Sequence, residues 1–345
     1  MMTTTTAPTS ASSQARPEPP PISPEPIIRL ASGFMAAKFL FAAGELGVFE
    51  ALADSPTTVD GLAARTGLTR RAARICADGL VALGLLERDG DTYRNGAAAA
   101  TFLAGAPGPD LRPLLRHWDK NGYAGWVDFA NALARGPERE VFDLDDEHKE
   151  IASAGIEAIL AGPAAALAEV FDFSACRRLL DVGGGTGSWS IAAARRHPHL
   201  QATVFELPAV APVARQRVAG AGLESRIDVV VGDAMVDELP AGHDTFLVAN
   251  LVHYGSPEKN VALLRRIRDA ADAGFRLLLA DFWTDPPHTQ PLLAALMAGH
   301  FAAFLREGDV YSVEEGRQWL PPAGWRFVDH VALAGPQSLV VAEAD

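Results

Sequence analysis

The chain is short of the residues that would tie it to nucleic acid, to metal or to an oxidising compartment. Basic residues are outnumbered: 30 Lys and Arg stand against 43 Asp and Glu, a formal net charge of −13. That balance leaves no broad basic surface for a phosphate backbone or an anionic membrane, so neither nucleic acid nor membrane is expected as a partner. Cysteine is nearly absent. The two present, Cys76 and Cys176, lie in segments of different character and show neither C-x-x-C nor metal-ligand spacing, so reduced core thiols in the cytosol are expected. An apolar leader is missing too, because residues 1–24 are rich in Thr, Ser and Pro and read as a disordered tail. The run from Phe34 to Phe49 carries Lys38 and Glu45 and is too short to span a bilayer. These absences together predict a soluble, cytoplasmic protein.

What is present is ordinary globular composition, 48% hydrophobic and 21% charged over 345 residues, enough for about two domains. Between Ile27 and Leu52 apolar residues recur at helical spacing (Leu30, Phe34, Met35, Leu40), with Gly44 and Gly47 dividing the stretch into two helices. So wide an apolar face predicts deep burial or a second subunit, hence a homodimer. Thr58 to Leu86 then reads as helix, turn, helix. Glu87 to Arg94 supplies a hairpin with an Asp-Gly turn, completing a winged-helix unit. Arg70, Arg71 and Arg74 on its second helix admit a DNA-binding reading; the acidic total favours a packing and dimerisation module. A helical region from about 100 to 170 carries Trp118, Tyr123, Trp126 and Phe129, as core or as part of a lid. The expected division is a tail at 1–24, a winged-helix unit at 25–105, a helical connector at 106–170 and a ligand-binding domain at 171–345.

From Arg178 onward short apolar runs alternate with helical stretches. Leu179–Val182, Ala202–Phe205, Ile227–Val231, Thr245–Ala249 and Arg276–Ala280 are predicted strands of a doubly wound parallel α/β sheet. Two helices follow, then a final antiparallel pair around Trp325–Val331 and Ser338–Ala342. The first strand runs into Asp181-Val182-Gly183-Gly184-Gly185-Thr186-Gly187-Ser188 and then a helix. Glycines let a backbone turn tightly and approach a ligand, and a helix start offers free N–H groups. The dinucleotide pattern fails because its third glycine position is Ser188, and the phosphate-loop pattern fails because no Lys follows. An acid two residues before the glycines suits a cationic, amino-acid-bearing ligand.

This segment resembles the first motif of class I S-adenosylmethionine (SAM)-dependent methyltransferases. Ligand residues in such a sheet lie at the carboxyl ends of the strands. The candidates there are Asp181, Gly183, Gly185 and Gly187; Glu206 with Leu207, for the ribose hydroxyls; Asp233, Ala234 and Met235, for adenine; Asn250; and Asp281. With the winged-helix front and the Tyr311-Ser312, Trp319-Leu320 and Ala323-Gly324-Trp325 tail, residues 27–343 resemble bacterial natural-product O-methyltransferases, relatives of the plant caffeate-type enzymes. The resemblance implies a Rossmann-like methyltransferase sheet, a dimerisation domain in front, SAM as cofactor and His253 as the base that deprotonates a small aromatic acceptor. Trp118, Trp126, Met297, His300 and Phe304 are candidate acceptor-pocket residues. The sequence departs from the family pattern at His253-Tyr254-Gly255, at Ala249 and at His300. That leaves room for a metal shared by His253 and His300 in a C-methyltransferase acting on a 2-oxo acid, for N-methylation, and for a non-enzymatic ligand sensor.

Overall fold

The computed structural model describes residues 22–137 and 144–345, so the tail expected at 1–24 lies almost wholly outside the described residues. The front unit consists of α1 (Glu25–Glu45), α2 (Val48–Ala51), β1 (Thr57–Thr58), α3 (Val59–Thr66), α4 (Arg70–Ala82), β2 (Leu86–Asp89), β3 (Thr92–Asn95) and α5 (Ala97–Phe102). Thr58 and Thr69 accept from Gly61 N and Ala72 N and so cap α3 and α4. A core of Phe49, Leu62, Leu80, Leu86 and Tyr93 joins the helices to the three-stranded wing, ordered β1-β3-β2.

Three sequence expectations need correction here. Gly47, in the left-handed conformation at φ 68, ends the first helix, whereas Gly44 stays inside α1 and admits Leu115 at the place of a Cβ. The hairpin pairs Asp89 with Thr92, so its two loop residues are Gly90-Asp91 rather than Asp89-Gly90. Gly90 takes positive φ and Asp91 does not, the sign pattern of a turn with Gly in first place. And α1 begins earlier than the apolar run suggested, which makes it and α9 (Asp146–Val170) long and apolar enough to cross a membrane by length and composition. Within the single chain only Ala43 of α1 is buried, while Ile27, Leu30, Phe34 and Met35 are exposed.

The connector is helical and consists of α6 (Arg112–His117), a π-helical turn at Trp118–Gly122, α7 (Tyr123–Val127), α8 (Phe129–Arg135) and α9. The large sheet follows with β4 (Arg178–Val182), α10 (Ser188–Arg196), β5 (Gln201–Glu206), α11 (Ala211–Gly220), β6 (Ile227–Val231), β7 (Thr245–Ala249), α12 (Pro257–Asp269) and β8 (Arg276–Asp281). It closes with α13 (Leu292–Phe304), α14 (Val313–Trp319), β9 (Trp325–Ala332) and β10 (Ser338–Ala344). The seven strands are ordered β6-β5-β4-β7-β8-β10-β9. The first five are parallel, and β10 pairs antiparallel with both β8 and β9. Strand order reverses between β4 and β7, which opens a crevice at their carboxyl ends. One core face carries α9, α10 and α11 through Leu167, Trp189, Ile191, Ala214 and Val218; the other carries α12 and the C-terminal helices through Leu263, Leu264, Ile267 and Trp319.

Candidate functional site

The crevice is built by what each parallel strand does as it ends. β4 runs into a loop in which Gly183, Gly185 and Gly187 have φ of 64, 57 and 83, values that side-chain-bearing residues rarely adopt. They differ in what surrounds them. A Cβ on Gly183 would meet Leu251 at 2.9 Å and one on Gly184 would meet the Asp181 carboxylate, but one on Gly185 would project into open space. The backbone over the crevice is therefore bare at Gly185.

Asp181 is fully buried, and its Oδ2 accepts from Ser190 Oγ at 2.7 Å while Oδ1 has no partner. Burial, with the nearby Glu206 charge in support, pushes its carboxyl up to about 7. Glu206, at the end of β5, accepts from Gly185 N and Leu207 N, each at 2.7 Å. It thus ties the glycine loop to the neighbouring strand, and Leu207 beside it is exposed. After β6, Asp233 Oδ1 accepts from Met235 N at 2.8 Å, Ala234 O accepts from Arg266 and the Met235 side chain stands exposed. Asn250, after β7, sits at φ 52 with Oδ1 buried and unpartnered, a strained conformation of the kind that collects at ligand sites.

Past Asn250 the chain delivers His253. It is 4% exposed, and its Nδ1 lies 2.8 Å from Asp281 Oδ1 at the end of β8. Asp281 Oδ1 also accepts from Phe282 N, so this carboxylate is fixed and the imidazole with it. An ionised carboxylate only accepts, which assigns the His253 proton to Nδ1 and leaves the Nε2 lone pair available. The ring stacks on Phe301 at 4.1 Å and 7°. Among the strand-end acids, Asp281 is the one to which no task attaches in the sequence alone. Its partnership with His253 has no local signature, since the two are brought together only by the pairing of β7 with β8.

The aromatic candidates separate into two places. Trp118 from the π-helical turn and Phe304 from α13 hold the His300 ring between them, 5.0 and 4.9 Å away. Gly122 leaves room for Trp118, which a Cβ would meet at 3.1 Å, and Gly125 admits Phe304. His300 Nδ1 is buried without a partner, and burial, with His117 and His253 nearby, lowers its pKa to about 4, so the ring is neutral. Met297 packs with Phe282 and Phe301 beneath this group. Trp126 stands apart, against Phe129 and Gly299. Among the described residues no group of three or more His, Cys, Asp and Glu could hold a metal ion. A cavity of about 490 Å³ between α1, α6 and α9 is lined by Phe41, Glu45, Arg116, Glu147 and Ile151; it touches none of the strand-end residues.

The arrangement suits a cationic ligand: the acids Asp181, Glu206 and Asp233, unpartnered buried oxygens on Asp181 and Asn250 and a bare glycine loop, beside an imidazole oriented by Asp281 in an aromatic wall. Comparison with known proteins agrees. Residues 134–326 match the model of the O-methyltransferase domain and residues 28–105 that of the O-methyltransferase dimerisation domain. The chain is similar to a 3-hydroxy-5-methyl-1-naphthoate 3-O-methyltransferase of Streptomyces sahachiroi, 34% identical over 89% of this chain and 91% of the relative. It is also similar to the N,N-dimethyltransferase OxyT of Streptomyces rimosus, 32% identical over 87% and 90% of the two chains. Among solved structures, the apo form of the S-adenosylmethionine-dependent methyltransferase SibL superposes with a TM-score of 0.80 at 31% identity, covering 93% of this chain and 99% of that one.

Proposed function

Because this chain belongs to the SAM-dependent O-methyltransferase family, with that family's dimerisation domain at its front, we propose that it methylates a hydroxyl of a small aromatic acceptor with His253 as general base. The observation that carries the proposal is the buried His253–Asp281 pair at the carboxyl edge of the sheet, where β7 and β8 end. SAM supplies a methyl group already activated by its sulfonium, so the protein has to align the acceptor and remove one proton. With SAM bound, Asp281 would hold His253 Nδ1–H and Nε2 would take the hydroxyl proton, while the sulfonium would supply the methyl to the acceptor oxygen and leave as the neutral thioether. Trp118, Phe301, Phe304 and Met297 form the apolar wall for a flat acceptor, and neutral His300 offers a hydrogen bond to one of its polar groups. We assign Asp181, Gly183, Gly185, Gly187, Glu206, Leu207, Asp233, Ala234, Met235 and Asn250 to the cofactor. Trp126 supports α13 in this reading.

The test is incubation with methyl-labelled SAM and a panel of phenols and naphthols, read by mass spectrometry. A labelled methyl ether is expected; methylation of nitrogen or carbon alone across a panel that includes amines and 2-oxo acids would overturn the oxygen assignment. N-methylation is the second reading because a relative of equal coverage is an N,N-dimethyltransferase. A metal-assisted reaction is not favoured, since among the described residues no group of three or more His, Cys, Asp and Glu is placed to hold a metal ion.

We further propose a cytoplasmic homodimer with boundaries at 25–105, 106–170 and 171–345. The exposed Ile27, Leu30, Phe34 and Met35 of α1 lie almost wholly within the dimerisation-domain match and are the apolar surface a second copy would cover. In the same unit Arg70 is paired with Asp60, and Arg74 with Asp78, which weakens a DNA-binding role. The free, buried Cys76 and Cys176 suit a reducing compartment. Sedimentation velocity at micromolar concentration should give a dimer, and Leu30→Asp with Phe34→Asp a folded monomer. A wild-type monomer, or a dimer untouched by both charges, would contradict this.

A further inference from the structure

One acid close to the glycine loop has no task in the account above. Glu157, on α9, reaches from the connector onto the start of α10. Its Oε2 accepts from the Ser188 hydroxyl at 2.5 Å and from the Arg217 guanidinium on α11. Ser188 directly follows Gly187, and its Oγ lies 3.3 Å from Thr186 Oγ1 inside the loop. The other oxygen, Oε1, is buried and has no partner, on a side chain that is 12% exposed. Leaving an acceptor of a charged group buried and unpaired is costly, so the position favours an incoming donor.

A second oxygen of the same kind belongs to the same loop. Asp181 is 0% exposed, its Oδ1 is also unpartnered, and it underlies Gly184. A loop built for phosphate offers N–H groups to an anion. This one is flanked by two acids, Asp181 at the end of β4 and Glu157 from α9, that each keep a bare buried oxygen, which favours a cation with several N–H donors. An α-ammonium group has three. Ser188 and Arg217 hold the Glu157 carboxylate in place while leaving Oε1 unused.

We propose that Glu157 is a cofactor-positioning residue that receives the α-ammonium of SAM on Oε1, so that cofactor binding also fastens the connector helix to the sheet. The proposal rests on the SAM-dependent reading and goes beyond it in assigning the amino-acid end to a residue outside the sheet domain.

Isothermal titration of the full-length protein with S-adenosylhomocysteine and with 5′-methylthioadenosine tests it. The second ligand keeps the adenosine and the thioether but has no amino acid. Glu157→Gln preserves shape and removes the charge. It should weaken S-adenosylhomocysteine about tenfold or more, as expected for a lost charge-assisted hydrogen bond, and leave 5′-methylthioadenosine within about twofold. Unchanged affinity for S-adenosylhomocysteine, or an equal loss for both ligands, would overturn the proposal, the equal loss marking a packing role. Glu157→Asp, which keeps the charge but retracts the oxygen, should show the same selective loss and serves if the Gln variant does not fold. A wild-type protein that binds neither ligand would remove the cofactor reading together with this one.

Discussion

Replacing His253 by Ala should leave affinity for S-adenosylhomocysteine within about twofold while cutting turnover by about 10²–10⁴, the usual contribution of a positioned general base. The separation is expected because the His253 partners Asp281, Phe301 and Tyr254 all lie outside the glycine loop. Asp281→Asn is the sharper variant. The amide keeps the shape, and its oxygen can still accept from Phe282 N and His253 Nδ1–H, but the charge that stabilises the imidazolium formed on proton transfer is gone. A loss of similar size is therefore expected from a change that removes no atom of the histidine. His300→Ala should act differently, raising the acceptor KM more than it lowers kcat, and a chelator should change neither constant. Comparable turnover losses at His253 and His300 together with chelator sensitivity would point to a shared metal. Near-normal turnover in both His253→Ala and Asp281→Asn would mean that alignment alone does the work. Both constants need measuring with a confirmed acceptor, by quantifying released S-adenosylhomocysteine.

Gly185→Val should abolish cofactor binding, with at least a 100-fold loss of affinity, and should do so without unfolding the sheet. Two effects add. A β-branched residue at φ 57 is strained, and its side chain would fill the open space over the loop that the ligand needs. The neighbours make the contrast. At Gly183 and Gly184 an added Cβ meets Leu251 or the Asp181 carboxylate, so substitution there disturbs the protein's own packing before any ligand arrives. Calorimetry beside a thermal melt distinguishes the cases: Gly185→Val should keep most of its melting temperature and lose binding. Unaltered affinity would detach this loop from the cofactor.

The sheet was legible because buried parallel strands are written as short apolar runs. Thr245–Ala249, buried at every position, has the expected bounds. Ile227–Val231 has them too, although it is the mostly exposed edge strand and is marked by its β-branched residues instead, and the other strands differ only at their ends. The glycine loop and strand-end acids were legible for a related reason: in an open α/β sheet the carboxyl end of each strand is a fixed place in the chain. What stayed hidden depends on pairing across the fold. His253 and Asp281 are 28 positions apart, and Glu157 and Ser188 31 apart; no local pattern says that they meet. The π-helical turn at Trp118–Gly122 was hidden for another reason. Its bonding leaves no periodic signature over five residues, yet it turns Trp118 toward His300. Gly44 shows the opposite hazard, a glycine that looks like a break but serves close packing against Leu115 inside an unbroken helix.

The most direct test of the central claim is a crystal structure of the full-length protein with S-adenosylhomocysteine bound. The ribose hydroxyls should lie on the Glu206 carboxylate, the adenine between Asp233 and Met235, and the amino-acid end over Gly183–Gly187. The sulfur should point toward the space between His253 and His300. Density for the ligand elsewhere, or a sulfur facing away from His253, would contradict the account.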